Sequence, residues 1–128
     1  MKIEHLAIWV KDLEGMRSFY ELYFGAKAGA KYHNPKKNFS SYFLSLTEGA
    51  RLEIMQKPEI PDLRTSDREQ IGLAHFAISV GSQEKVDSLT EKLRKSGFRI
   101  VGETRTTGDG YYESVVLDPE GNRIEITV

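Results

Sequence analysis

The sequence contains no cysteine, and this absence removes several kinds of chemistry at once. Without cysteine there is no disulfide, no thiolate metal ligand and no cysteine nucleophile. No apolar run approaches the roughly 18 residues that a membrane-spanning helix needs. The apolar stretch at the N-terminus is too short for a secretory signal and has no small-residue cleavage site. We therefore expect a cytoplasmic protein without a membrane partner.

The sequence also lacks an excess of charge of either sign. Eighteen Lys and Arg residues face nineteen Asp and Glu residues, for a formal net charge of −1. Nucleic-acid binding depends on clustered positive charge, so we expect no nucleic-acid partner. Hydrophobic residues make up 39% of the 128 residues, which is enough to form a buried core.

The chain repeats itself in two pairs of matching segments. Residues 5–10 read HLAIWV and residues 75–80 read HFAISV, while residues 48–54 read EGARLEI and residues 120–126 read EGNRIEI. The first pair is offset by 70 residues and the second by 72, a difference that a small loop insertion explains. Self-similarity at a nearly fixed offset indicates a tandem duplication.

Hydrophobic periodicity predicts the order βαβββ in the first copy. A helix follows Asp12, which is a good N-cap, and ends at Gly25. Its apolar face recurs at helical spacing, at Met16, Phe19, Tyr20, Tyr23 and Phe24. Strands are predicted near residues 3–10, 27–33, 39–46 and 50–56.

The second copy predicts the same order. Ser82 is the N-cap of a helix that ends at Gly97 and has Val86, Leu89 and Leu93 on one face. Strands are predicted near residues 73–80, 98–106, 111–117 and 122–128. The fold class is therefore α+β, with a first module over residues 1–56, a linker over 57–72 and a second module over 73–128. Together the modules form a single domain over residues 1–128.

Strand parity brings one histidine of each copy to the sheet face opposite the helix. Successive strand residues point to opposite faces, so the apolar Leu6 and Ile8 are suited to pack under the helix. This leaves His5 and Trp9 on the other face. The same alternation selects Glu53 in the first copy and His75 and Glu125 in the second.

Two histidines and two carboxylates form a donor set that suits a divalent Zn, Ni, Co, Mn or Fe ion. For one pair alone, a half-exposed polar contact on a strand is the preferred interpretation. The duplication reverses that preference, because two of the three histidines occupy equivalent positions and each is matched with a glutamate. We therefore predict one divalent metal ion bound by His5, Glu53, His75 and Glu125. His33 has no counterpart and is interpreted as a loop or strand-end residue.

Arginines and aromatic residues near these positions are candidates for secondary roles. Arg51 and Arg123 precede the two glutamates by two residues, and each orients a carboxylate, attracts an anionic substrate or forms a solvated ion pair. Trp9 shares the parity of His5 and is a candidate for a substrate pocket. Other aromatic candidates are Tyr42, Phe43, Tyr111 and Tyr112, although most such residues belong to a core.

Taken together, these motifs resemble the vicinal oxygen chelate superfamily. The tandem repeat, the segment from His5 to Tyr20 and the motif Asp-Pro-x-Gly-Asn-x-Ile-Glu from Asp118 to Glu125 carry the likeness. The superfamily contains glyoxalase I, fosfomycin-resistance enzymes, extradiol dioxygenases, methylmalonyl-CoA epimerase and bleomycin-binding proteins. The resemblance implies two βαβββ modules that form a concave, partly open mixed-sheet barrel around a metal ion.

Within the superfamily, the four-ligand set is most similar to that of bacterial glyoxalase I. This implies a metal-dependent lyase or isomerase, similar to lactoylglutathione lyase, that converts a hemithioacetal of methylglyoxal through a metal-stabilised enediolate. Glu125 would then be the main catalytic base, and Glu53 a ligand that also transfers protons. Glutathione-dependent members usually carry Arg at the position of Trp9 and Asn at that of Lys57, so the thiol cosubstrate stays open.

Two further hypotheses remain open. One is another metal-dependent enzyme of the superfamily, such as an epimerase or a thiol transferase of the fosfomycin-resistance type. The other is a non-catalytic protein that binds a drug or metabolite. In each case the partner is a small molecule. We also expect a homodimer, because two small modules leave strand edges and apolar faces to cover. The modules pair either within one chain or between two.

Overall fold

The computed structural model describes residues 1–62 and 71–128 of the chain. Two compact units divide the chain, Met1–Leu63 and Arg64–Val128. Their boundary falls inside the predicted linker 57–72, of which residues 63–70 lie outside the described residues. In the described part of the chain, no helix is long and apolar enough to cross a membrane.

The first unit is a helix packed on a mixed sheet. Its elements are β1 (His5–Trp9), α1 (Leu13–Phe24), β2 (Lys27–Ala28), β3 (Tyr32–Asn34), β4 (Phe39–Ser45) and β5 (Arg51–Gln56). The strand order is β1-β5-β4-β2, with β3 also paired to β4. Strands β1 and β5 are parallel, and the other pairs are antiparallel.

One strand predicted for this unit is interrupted in the structure, so that prediction was wrong. The prediction placed a single strand near residues 27–33, whereas the structure has the two short strands β2 and β3 there. Between them, Gly29 and Ala30 offer no β-branched or aromatic side chain that would pack on a sheet. Gly29 still donates its backbone N–H to the carbonyl of Phe43 at 2.9 Å, so the chain follows the sheet edge through the interruption.

The second unit has the predicted βαβββ order. Its elements are β6 (Phe76–Ser79), α2 (Gln83–Lys95), β7 (Ile100–Thr106), β8 (Tyr112–Leu117) and β9 (Arg123–Thr127). The strand order is β6-β9-β8-β7, with β6 parallel to β9 and the other pairs antiparallel. Strand β6 is shorter than the predicted 73–80, and His75 directly precedes it. The α+β fold class with two mixed sheets is confirmed.

Helix α1 begins and ends where its capping residues predict. Asp12 accepts a hydrogen bond from the backbone N–H of Gly15 at 2.9 Å. A Cβ on Gly15 would lie 2.3 Å from Asp12 Oδ2, so a larger residue there would require the Asp12 carboxylate to shift. Gly25 ends the helix with a positive φ of 65°, a conformation that glycine adopts without strain.

Helix α2 is tied to its sheet by a buried polar contact as well as by apolar packing. Val86 and Leu93 are fully buried, while the predicted Leu89 is half-buried. Thr90 takes a central place on this face, and its hydroxyl lies 2.7 Å from that of Ser114 on β8. This hydroxyl pair is satisfied within the protein, so burying it carries little penalty.

The core of each unit lies between its helix and one face of its sheet. Alternate strand residues fill this space: Ile8, Tyr42, Leu44 and Ile54 in the first unit, and Ile78, Val116, Ile124 and Ile126 in the second. Because side chains alternate along a strand, the intervening residues point to the face opposite the helix. That opposite face carries the predicted metal ligands of each unit.

Candidate metal centre

The first histidine–glutamate pair is set by the parallel register of β1 and β5. Ala7 is directly opposite Glu53, and His5 lies two residues earlier on β1. The two side chains therefore share one face of the sheet, with His5 Nε2 and Glu53 Oε2 3.9 Å apart. His5 is 40% exposed and Glu53 only 15%, so the pair is reached from solvent through the imidazole.

The second pair repeats this arrangement. Ala77 is directly opposite Glu125 in the parallel pairing of β6 and β9, and His75 lies two residues before Ala77. His75 Nε2 and Glu125 Oε2 are 3.1 Å apart, with 42% and 19% of their side chains exposed. The alanine that separates histidine from glutamate in both modules leaves space above the sheet for the two longer side chains.

The donor spacing in the second pair fits coordination of a divalent ion, and that in the first pair is somewhat wider. Metal–nitrogen and metal–oxygen bonds are about 2.1 Å long, so two ligands at right angles around one ion lie about 3 Å apart. The separation of 3.1 Å in the second pair matches this spacing, and that of 3.9 Å in the first is within reach of a side-chain rotation. In the described part of the chain no three metal-binding side chains form a group, so the predicted ligands are seen as two pairs.

A carboxylate that the sequence analysis missed lies behind His5. Glu4 accepts a hydrogen bond from His5 Nδ1 at 2.5 Å, and Arg51 Nε donates to the other oxygen of Glu4 at 2.9 Å. These bonds, first that of His5 and then that of Arg51, lower the pKa of Glu4 and keep it ionised. With Nδ1–H donating to a carboxylate, the Nε2 lone pair of His5 is left to bind a metal ion.

Arg51 makes a second contact that fixes its position. Its guanidinium carbon lies 4.2 Å from the centroid of the Phe43 ring, and that ring contacts the His5 imidazole edge-on at 5.3 Å. Phe43 is also directly opposite Glu53 on the neighbouring strand. Of the alternatives left open for Arg51, the structure shows an ion pair with the glutamate that holds His5.

A tight turn positions the glutamate of the second pair. The buried carboxylate of Asp118 accepts the backbone N–H groups of Glu120 at 3.0 Å and Asn122 at 2.8 Å. It also accepts the side-chain amide of Asn122 at 2.7 Å, and Gly121 completes the turn with a φ of 82°. The Asp-Pro-x-Gly-Asn part of the sequence motif therefore builds the turn from which β9 carries Glu125.

The remaining predicted pocket residues lie near these pairs. Arg123 is half-buried at the start of β9, directly opposite Leu117. Lys57 directly follows β5 and is exposed. Trp9 ends β1 on the face of His5 and is 40% exposed. These assignments to a substrate pocket stay predictions.

Two of the aromatic candidates proved to be structural. Tyr42 is buried on the helix side, where its hydroxyl donates to Glu14 at 3.1 Å and accepts from Arg17 at 3.3 Å. Tyr112 donates to Asp87 of α2 at 2.8 Å, so it also faces the helix. Strand parity separates these tyrosines from Phe43.

The sequence analysis also missed a buried carboxylate in the second unit. Glu113 is 8% exposed and lies directly opposite Thr127, two residues along β9 from Glu125. Its carboxylate is 3.6 Å from the guanidinium of Arg105 on β7. Register alone places it on the face of Glu125, but its burial could not be read from the sequence.

Comparison with known proteins decides the family. The model of the Glyoxalase/Bleomycin resistance protein/Dioxygenase superfamily matches residues 2–126. The chain belongs to this superfamily. The resemblance to the vicinal oxygen chelate proteins is thereby confirmed.

Individual proteins also align with nearly the whole chain. The uncharacterized protein YqjT of Bacillus subtilis (strain 168) is 31% identical over 128 residues, covering 97% of this chain and 96% of its own. The structure of a glyoxalase family protein from Enterococcus faecalis aligns with a TM-score of 0.79 and 27% identity, covering 99% and 97% of the two chains.

A structure of a glyoxalase I is also similar. The trypanothione-dependent enzyme of Leishmania major aligns with a TM-score of 0.77 and 26% identity, covering 99% of this chain and 86% of that one. Superfamily members commonly bind a divalent metal ion, which fits the donors found on the two sheets.

Proposed function

We propose that this superfamily member is a metal-dependent enzyme of glyoxalase I type, which isomerises the hemithioacetal formed from methylglyoxal and a thiol. One observation carries the proposal: a half-exposed histidine faces a less exposed glutamate at equivalent positions of both modules, at 3.9 and 3.1 Å. Core packing does not require such a pair, and its repetition on both sheets is what a shared metal ion demands. The likeness to a glyoxalase I supports the choice of reaction.

The ligands in this proposal are His5, Glu53, His75 and Glu125. Neutral imidazoles and carboxylates together suit Zn, Ni, Co, Mn or Fe. When bound, such an ion polarises the two neighbouring oxygens of the substrate and stabilises negative charge that develops on them. Glu4 holds His5 in the orientation and tautomer that this role needs, through the hydrogen bond to Nδ1.

Glu125 is the proposed base. It removes the proton from the carbon that bears the hydroxyl and sulfur, and returns that proton to the adjacent carbonyl carbon. The hydroxyl proton moves to the former carbonyl oxygen, so one C–H and one O–H bond break and one of each forms. The hemithioacetal thus becomes an α-hydroxy thioester without any other reactant. The side chain of Glu125 is only 19% exposed, which limits the water around it and favours proton transfer. Glu53 is mainly a ligand.

Residues around the ligands complete the proposal. Arg51 holds Glu4 behind His5, Arg123 attracts negative charge, and Trp9 and Lys57 contact the substrate. We further propose a cytoplasmic homodimer, since proteins with this fold often dimerise.

Metal content and turnover test the proposal together. The purified protein is loaded separately with Zn, Ni, Co and Mn, and bound metal is measured beside isomerisation of methylglyoxal adducts with several thiols. His75→Ala should lose most of the metal, whereas His33→Ala, which removes a histidine bonded to Ser40 on β4, should keep it. Stoichiometric metal in the His75→Ala protein would contradict the ligand assignment, and full metal without isomerisation of any adduct would contradict the reaction.

A further inference from the structure

Three aromatic side chains form an exposed cluster on the metal-binding face of the first sheet. The aromatic platform consists of Trp9, Tyr32 and Phe39, from strands β1, β3 and β4. The Phe39 ring centroid lies 6.1 Å from that of Trp9 and 6.0 Å from that of Tyr32. Trp9 is 40% exposed and Tyr32 55% exposed, although each has a large apolar surface to bury.

Strand register places this platform directly beside Glu53. Trp9 is opposite Met55, Met55 is opposite Ser41, and Ser41 is opposite Tyr32, which makes one row across four strands. Glu53 lies two residues before Met55 on the same face, so the row is about 7 Å from the glutamate along the strand. A group attached next to metal-binding oxygens would extend over this distance.

The ion pair of Arg51 with Glu4 lies at the other end of this face, and Lys57 is the charged residue that follows β5 at the Trp9 end. Arg51 is opposite His5, four residues along β1 from Trp9. Its guanidinium is bound to Glu4 and stacked on Phe43, so its charge is already matched near the histidine. The Trp9 end of the face is therefore aromatic, with the thioether of Met55 at its centre.

We propose that the substrate carries a planar apolar or aromatic substituent beside its two neighbouring oxygens, and that the aromatic platform binds this substituent. The inference keeps the reaction of the proposed function but replaces the methyl group of methylglyoxal with a larger planar substituent, and it rests on that function for the position of the oxygens. Stacking on exposed aromatic rings adds to the gain from burying apolar area, and the two together correspond to an affinity gain of about ten-fold or more. A substrate with a methyl group alone would leave Trp9 and Tyr32 in water.

Two hydroxamates with the same metal-binding head group test this inference. Benzohydroxamate and acetohydroxamate both present two neighbouring oxygens, and only the first has a ring. Binding to the metal-loaded protein is measured by calorimetry, with tryptophan emission as a second signal. Because Trp9 is the only tryptophan of the chain, a change in emission reports on the platform itself.

Benzohydroxamate should bind about ten-fold or more tightly than acetohydroxamate and should change the emission of Trp9. Trp9→Ala should abolish this preference, and Trp9→Phe should retain most of it. Leu22→Ala is the matched control, because Leu22 is an exposed apolar residue of α1 with 64% exposure. Its removal should leave both affinities unchanged.

Equal affinities for the two hydroxamates, or a preference that survives in Trp9→Ala, would overturn the inference, as would failure of benzohydroxamate to bind. The outcome is separable from that of the proposed function. A protein that isomerises methylglyoxal adducts without a preference for the ring keeps the function and loses the inference. A Trp9-dependent preference without isomerisation of methylglyoxal or phenylglyoxal adducts keeps the inference and removes the reaction.

Discussion

Around His5 the first module places the carboxylate of Glu4 and the ring of Phe43, whereas the second module has Ala74 and Val115 at the equivalent positions. The donor pairs themselves are equivalent in register. Duplication thus kept the donors on both sheets while their surroundings diverged. The first histidine is oriented by a hydrogen-bonded carboxylate, and the second glutamate is carried by a turn built on Asp118.

The row of side chains two residues beyond the glutamate differs even more between the modules. In the first module it consists of Trp9, Met55, Ser41 and Tyr32. In the second module the equivalent row consists of Ser79, Thr127, Glu113 and Arg105. One sheet presents an apolar surface and the other a charged one.

Replacing the glutamate of each module by glutamine should give the largest difference in turnover between the two modules. Glu125→Gln retains an oxygen for the metal but cannot accept a proton at neutral pH, so turnover should fall by about 10²–10⁴-fold. Glu53→Gln is the matched variant and should lose less, since Glu53 is mainly a ligand. The measurement is kcat for a methylglyoxal adduct at confirmed metal content. Turnover of Glu125→Gln at the parent rate would remove Glu125 as the base.

The carboxylate of Glu4, which is present only in the first module, should affect metal affinity. Glu4→Ala removes the partner of His5 Nδ1 and should weaken metal affinity by about 10–100-fold. Ala74→Glu places a carboxylate at the equivalent position of the second module and should strengthen metal binding. Competition with a chelator measures both affinities. Unchanged affinity in Glu4→Ala would mean that His5 is oriented without Glu4.

The turn before β9 should matter for stability. Asp118→Ala leaves buried backbone N–H groups of Glu120 and Asn122 without their acceptor, which should lower the free energy of unfolding by about 1–3 kcal/mol. Glu48→Ala, in the equivalent exposed turn of the first module, is the control and should change it little. Urea unfolding measures both. Equal effects would show that the two turns contribute alike.

The smallest expected effect concerns the thiol. Trp9→Arg introduces the residue that glutathione-dependent relatives usually carry, so KM for a glutathione adduct should fall several-fold with unchanged thermal stability. The same variant should lose affinity for aromatic adducts. High activity with glutathione in the unmodified protein would instead show that Trp9 does not exclude this thiol.

The elements that could be predicted from the sequence are those with local signals. Capping by Asp12 and Ser82 and the alternation around His5 and Glu53 depend on neighbouring residues, and the structure follows them. Parity was enough to bring each histidine to the face of its glutamate. The donor distances required the packing of strands that are far apart in sequence.

Other parts of the site carried no local signal. Glu4 precedes β1 and has no counterpart in the second copy. Its bonds to His5 and Arg51 depend on the assembled sheet and could not be predicted from the sequence. Phe39 and Tyr32 meet only because β3 pairs with β4, and the prediction had merged β3 with β2 into a single strand.

The order of strands within each sheet determines when the proposed metal ligands come together during folding. The glutamate strand is the last of its module along the chain, yet it lies between the first strand and the strand before it. Each histidine therefore faces its glutamate only after that strand has been inserted into the sheet. Closing so long a loop slows folding. A chain interrupted before this insertion has no donor pair in that module. With the proposed ligands, a divalent ion would bind only completed modules and should stabilise the finished fold without accelerating its early steps.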